Sequence, residues 1–136
     1  MKRPNRFVVL LGAGLLAAAS GVIVGAADDW QAPARAARKK NPVPSDEKSL
    51  AAGKDVYAHQ CRSCHGDHGK GDGPGSKDLN PKPRDLGAQN VADQTDGALF
   101  WKITEGKKPM PSFDKMMTEE QRWQTVNYIR TFAKKS

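Results

Sequence analysis

Apolar positions recur at helical spacing in three stretches of this chain, and nowhere do they alternate long enough to make a strand. In the first stretch, Leu50, Val56 and Tyr57 predict a helix that opens at Ser45 or Ser49, either able to cap it, and runs through Gly53 to Gln60. A glycine in mid-helix is costly unless another helix has to approach closely there. In the second, Leu99, Phe100 and Ile103 predict a shorter helix, opened by Thr95 or Asp96 and stopped by Gly106. The third has the clearest start signal, because Thr118-Glu119-Glu120-Gln121 is a capping box. Trp123, Val126, Tyr128, Ile129 and Phe132 then form a broad apolar face, and Lys134-Lys135 suit the negative end of the helix dipole. The expected fold class is all-α.

Two irregular segments separate these helices. Residues Gly66 to Leu86 contain Gly69, Gly71, Gly73, Gly75 and Pro74, Pro81, Pro83, a composition incompatible with regular structure. The second segment, Lys107-Lys108-Pro109-Met110-Pro111-Ser112-Phe113, holds a methionine between two prolines. A long irregular loop in a compact domain usually wraps something. Residues 45–136 are one small domain with a modest core, so a bound group would supply much of what the side chains do not.

The candidate for that group comes from Cys61-Arg62-Ser63-Cys64-His65, a C-x-x-C-H run of the kind that attaches haem c. Residues three and four apart share a helix face, so both thiols and the imidazole can meet one porphyrin. The thiols would add to its vinyl groups, and His65 would lie beneath the iron as its proximal ligand. A thioredoxin-like redox pair would need a βαβ pattern, which is missing, and a zinc site would need more ligands. The chain has only these two cysteines, and only His59 and His68 as further imidazoles, both expected at the surface. A disulfide across so small a loop would stabilise little.

The amino terminus reads as an export signal. Lys2, Arg3 and Arg6 precede 21 uncharged residues, Phe7 to Ala27, which fit either a cleavable signal peptide or a retained membrane anchor. Residues 28–44, with Pro33, Pro42, Pro44 and Arg35, Arg38, Lys39, Lys40, read as a flexible basic linker. Behind an anchor, such a tether would reach about 20–25 Å. The formal net charge is +7, but from Ser45 onward 15 basic residues face 13 acidic ones, which leaves no footprint for nucleic acid. Arg62, Lys70, Lys107 and Lys108 lie near the attachment turn and Met110 in sequence and are expected to ring the haem edge, diluted by Asp67 and Asp72.

Taken together, Gly53-Lys54 with Tyr57, Cys61-x-x-Cys64-His65-Gly66, Gly71-Asp72-Gly73-Pro74-Gly75, Leu99-Phe100-Trp101 with Gly106, Met110-Pro111-x-Phe113 and the aromatic last helix resemble a class I monohaem cytochrome c. The likeness covers most of residues 46–133 and is similar in type to the third subunit of cbb3 oxidases and the cytochrome subunits of periplasmic dehydrogenases. It implies first and last helices crossing near Gly53 and Tyr128, with a third helix and long loops around one covalently bound haem. It implies His65 and Met110 as axial ligands of the iron, with Met116 and Met117 as rival sulfurs. It also implies Pro74, ahead of Pro81 and Pro83, as acceptor for the His65 N–H, and Trp101 or Arg84 as a propionate contact. The function implied is one-electron transfer between a redox donor and acceptor outside the cytoplasmic membrane, either free or within an oxidase or dehydrogenase complex. The alternative is a haem enzyme or gas sensor in which Met110 is a labile ligand.

Overall fold

The computed structural model describes residues 30–133, so the export-type segment and Lys134-Lys135 lie outside the described residues. Its helices are α1 (Ala34–Ala37), α2 (Glu47–Gln60), α3 (Arg62–His65), α4 (Gln89–Ala92), α5 (Asp96–Glu105) and α6 (Glu119–Arg130), with a 3-10 turn at Pro74–Ser76. Among the described residues the only ladder contact is an isolated bridge between Lys107 and Met110, and the fold is all-α.

Capping follows the side-chain chemistry. Thr95 accepts from the Ala98 N–H and opens α5, and Thr118 and Gln121 form the reciprocal capping box of α6. The cap of α2 is neither expected serine. Asp46 takes that position and accepts from the Ser49 N–H at 2.8 Å, which frees the buried Ser49 hydroxyl to accept from Asn127 at 2.7 Å.

α2 and α6 cross where Gly53 has no side chain. A Cβ on Gly53 would lie 2.1 Å from the Gln124 carbonyl oxygen and 3.0 Å from Tyr128 Cβ, so only glycine permits this approach. Below the crossing, Tyr57 and Tyr128 meet at 5.3 Å between ring centroids, and Phe132 packs edge-on to both. Trp123 and Val126 of α6 are completely enclosed, and Trp123 stacks on Phe100 of α5 at 3.9 Å. The three predicted helices therefore share one core.

Residues 30–44 depart from expectation. Composition predicts a solvated tether, yet this segment is docked along α5 and α6. Thr95 Oγ1 donates to the Ala37 carbonyl at 2.6 Å, and Asn41 Nδ2 donates to Asn127 Oδ1 at 2.7 Å. Asn127 Nδ2 in turn donates to the Val43 and Pro44 carbonyls at 3.2 Å each, and Val43 packs against the core. Proline and basic residues make poor regular structure, but they do not prevent backbone carbonyls from finding donors on a preformed helix pair.

Candidate cofactor site

At Cys61 the backbone leaves α2 and turns into α3. The Cys61 carbonyl accepts from the Cys64 N–H at 3.2 Å and from the His65 N–H at 2.9 Å, which closes the turn. That geometry brings Cys61, Cys64 and His65 to the wall of one cavity of about 470 Å³. Leu99 and Ile103 of α5, Ile129 of α6, Leu79 and Leu86 of the glycine-rich loop, and Met110 and Phe113 complete an apolar lining.

The glycine-rich loop is tied back onto the attachment turn. Gly71 N–H donates to the His65 carbonyl at 2.9 Å, and Gly73 N–H to that of Cys64 at 3.2 Å. Tyr57 Oη donates to the Gly66 carbonyl at 2.8 Å; burial and then the nearby Cys61 push its pKa up, so the phenol stays a donor. The Met110 loop hangs from the end of α5. Phe113 N–H donates to the Ile103 carbonyl at 3.2 Å, and Ser112 Oγ to that of Thr104 at 2.6 Å. On its far side, Arg122 donates to the Asp114 carbonyl at 3.0 Å and carboxylate at 3.1 Å.

The electrostatics favour a ligand set over a redox pair. Cys61 and Cys64 are unbridged thiols, and burial, followed by the proximity of Cys64, pushes the Cys61 pKa up to about 12. Disulfide-exchange cysteines need the opposite, a depressed thiol pKa. Burial also pulls the His65 imidazole down, partly opposed by a contact with the Arg84 backbone, and so favours the neutral ring that binds metals. His65 Nδ1 and Gln94 Oε1 are buried without a hydrogen-bond partner, and both residues line the cavity. Two thiols, an imidazole and a thioether on one apolar cavity fit a covalently attached haem. Among the described residues, no group of three or more His, Cys, Asp and Glu side chains is arranged to hold a metal ion by itself.

The structure brings together Cys61, Cys64, His65, Met110 and Arg84 in the cavity wall. It does not bring in Pro74 or Trp101. Pro74 is exposed at the start of the 3-10 turn with no hydrogen bond to His65, and the backbone beside the imidazole is that of Arg84. Trp101 is half-buried but stands outside the cavity lining, because its neighbours Leu99, Lys102 and Ile103 take the inward positions of α5. The rival sulfurs separate as well, since Met117 is core, Met116 is 52% exposed and neither lines the cavity. His59 and His68 are exposed. Of the expected basic ring, Lys107 and Lys108 line the cavity together with Lys82, whereas Arg62 pairs with Asp67 at the surface at 3.7 Å and Lys70 is exposed outside the lining.

A family model described as "Cytochrome C oxidase, cbb3-type, subunit III" matches residues 48–129. The chain belongs to the cytochrome c family. It is 35% identical over 91 residues to cytochrome c6 of Rippkaea orientalis, covering 63% of this chain and 73% of that one. Among solved structures it is similar to a chain of the Kuenenia stuttgartiensis reducing HAO-like protein complex, with a TM-score of 0.62 and 28% identity, covering 68% of this chain. It spans about half of that protein, 47%. It is also similar to the KustC0563 c-type cytochrome, with a TM-score of 0.54 and 25% identity, covering 60% of this chain and 98% of the other. As a member of this family it is an electron-transfer protein, and it carries haem c, with its iron, covalently bound. Cys61 and Cys64 have the spacing of that attachment.

Six further residues of the cavity lining are not among those the sequence singles out: Trp30, Leu79, Lys82, Val91, Gln94 and Lys102. Only Trp30 carried a signal, as the single aromatic residue of 28–44. Among the described residues no helix is long and apolar enough to cross a membrane.

Proposed function

We propose that this protein is a one-electron carrier whose haem iron is held between His65 and Met110, working outside the cytoplasmic membrane, either free or as a subunit of a redox complex. One observation supports this reading above the rest: Cys61, Cys64, His65 and Met110, drawn from two segments 45 residues apart, line a single apolar cavity. Haem supplies the one-electron change between ferric and ferrous iron. The chain supplies everything else. Cys61 and Cys64 would hold the group as thioethers, and His65 would offer a neutral imidazole at its place in the turn. Met110 would offer a thioether, a donor that favours the ferrous state. With His65 and Met110 both offered to the iron by the protein, a bound haem would pass electrons and leave no place for a substrate, which would separate a carrier from a haem enzyme or gas sensor. Arg84 is the cation proposed for a propionate. Lys82, Lys107 and Lys108 around the cavity favour an acidic patch on the partner, with more effect on encounter rate than on affinity. The uncharged run from Phe7 to Ala27, behind three basic residues, supports export, and the docked segment from Trp30 onward would keep an anchored form close to its membrane.

The deciding test is Met110→Ala beside Met116→Ala and Met117→Ala. The Met110 variant should lose the weak ferric charge-transfer band of sulfur ligation, turn high-spin or water-ligated, and fall in potential, while the other two keep the band. Survival of that band in Met110→Ala would assign the ligand elsewhere.

A further inference from the structure

Residues 30–44 lie outside the stretch matched by the family model, 48–129, yet they reach the cofactor cavity through Trp30. The ring of Trp30 has Lys102 Nζ at 5.2 Å from its centroid, and Lys102 is itself a buried residue of the cavity lining. Behind Trp30 the chain is anchored at several points independent of the cofactor. The carbonyls of Ala36, Ala37 and Lys39 close over Gly97 of α5, where an added Cβ would lie 2.3, 3.0 and 2.6 Å from them. The Thr95 and Asn41–Asn127 hydrogen bonds fasten either side of this contact. Such a seat is far more than a solvated tether needs, and it delivers a large aromatic side chain to the wall of an apolar cavity.

We propose that residues 30–44 are a strap that holds Trp30 against the haem, and that Trp30 thereby limits the access of water and small ligands to the cofactor. This rests on the haem reading above. The physical consequence follows from charge. Ferric haem carries one more positive charge than ferrous haem, so water at the cavity wall stabilises the ferric state, and an apolar wall disfavours it. Trp30 in place therefore raises the reduction potential and keeps exogenous bases from competing with the protein's own sulfur ligand. Lys102 acts in the same direction, as a cation beside the group being reduced. Trp30 is a positioning residue in this account, since it neither binds iron nor transfers the electron.

The experiment uses the full haem-loaded protein and the variants Trp30→Phe, Trp30→Ala and Gly97→Ala. Covalent haem is first verified by acid–acetone resistance and the pyridine haemochrome spectrum; its absence from wild type would overturn the haem reading itself, and the strap proposal with it. With haem in place, the indole N–H resonance that disappears in Trp30→Phe should shift between the ferric and ferrous states of wild type, as a group next to the paramagnetic centre does. Trp30→Ala should lower the midpoint potential and bind added imidazole several-fold more tightly, while Trp30→Phe stays near wild type because its ring still excludes water. Gly97→Ala changes no cavity residue but displaces the strap, so it should reproduce the direction of Trp30→Ala. A haem-loaded wild type with a redox-insensitive Trp30 resonance would overturn the proposal, as would a Trp30→Ala protein with wild-type potential and imidazole affinity. If Gly97→Ala behaved as wild type, the strap would have no part in the effect.

Discussion

The α2–α6 crossing and the cavity wall are built from the same short chain, and they achieve order in different ways. At the crossing, helix meets helix directly: Gly53 admits the Gln124 backbone, Tyr57 and Tyr128 close beneath it, and Trp123 and Val126 are completely enclosed. Its surfaces are complementary without help. At the cavity, Leu79, Leu86, Leu99, Ile103 and Met110 form an apolar wall, and much of that wall is irregular backbone held by hydrogen bonds such as Leu86 N–H to the Gly69 carbonyl. Apolar surface of that kind is stabilised only when something fills it. One region is a packed core and the other becomes a core once haem is attached.

Breaking the second region should have the larger effect. Replacing both Cys61 and Cys64 by alanine is expected to abolish acid–acetone-resistant haem and leave the domain largely unfolded by circular dichroism. In whatever structure persists, amide-exchange protection should fall first in 66–88 and 107–117 and last at the crossing. A double variant as helical and as cooperative on melting as the wild type would mean that the loops stand without the cofactor.

Breaking the crossing should cost less but without loss of haem chemistry. In Gly53→Ala the new methyl meets the Gln124 backbone rather than a flexible side chain, so it cannot be accommodated cheaply. Overpacking of this kind costs about 1–3 kcal/mol. Alanine also gains about 1 kcal/mol in helix propensity, which offsets part of that loss. The expected result is a lower Tm with unchanged haem attachment, read by thermal melting and by the visible spectrum. An unchanged or higher Tm would show that the helices slide apart at no cost.

The smallest effect is expected where the two regions meet. The Asp114 carboxyl is held below the ordinary carboxylate range, first by the adjacent Lys115 and then by Arg122, whose guanidinium ties the Met110 loop to α6. A carboxylate with a depressed folded pKa contributes stability that is present above its unfolded value and lost as pH falls through its folded value. Asp114→Asn should therefore be slightly less stable than wild type at neutral pH, with the difference shrinking on the acid side. Because the carboxylate is solvent-accessible, the change should be small and should weaken further with salt. Equal melting curves for the two proteins from acid to neutral pH would remove this ion pair from the account.

Much of this molecule was legible in local pattern. The three long helices announce themselves by spacing and by caps, and Thr118 with Gln121 forms the box that the sequence spells. Cys61, Cys64 and His65 are close in sequence, so a single turn suffices to put them on one wall. Asp46 does not stand out as a cap in the sequence, because Ser45 and Ser49 lie close by with the same chemistry, and only the bond to the Ser49 N–H distinguishes them. Pro74 and Trp101 failed to reach the cavity for a different reason: which of several neighbouring residues turns inward depends on the path of the chain in three dimensions.

What the sequence determined by itself is therefore the helical class, the attachment motif and the methionine set between prolines, all of which depend on residues within a few positions of one another. Tertiary structure alone decided that Met110 and His65 share a cavity, that Arg84 rather than Pro74 lies beside the imidazole, and that residues 30–44 form a docked strap ending in Trp30. Those outcomes depend on contacts between distant segments, such as Asn41 with Asn127 and Ala36 with Gly97. Such contacts leave no periodicity in the chain, because each forms only after the helices it joins have already packed.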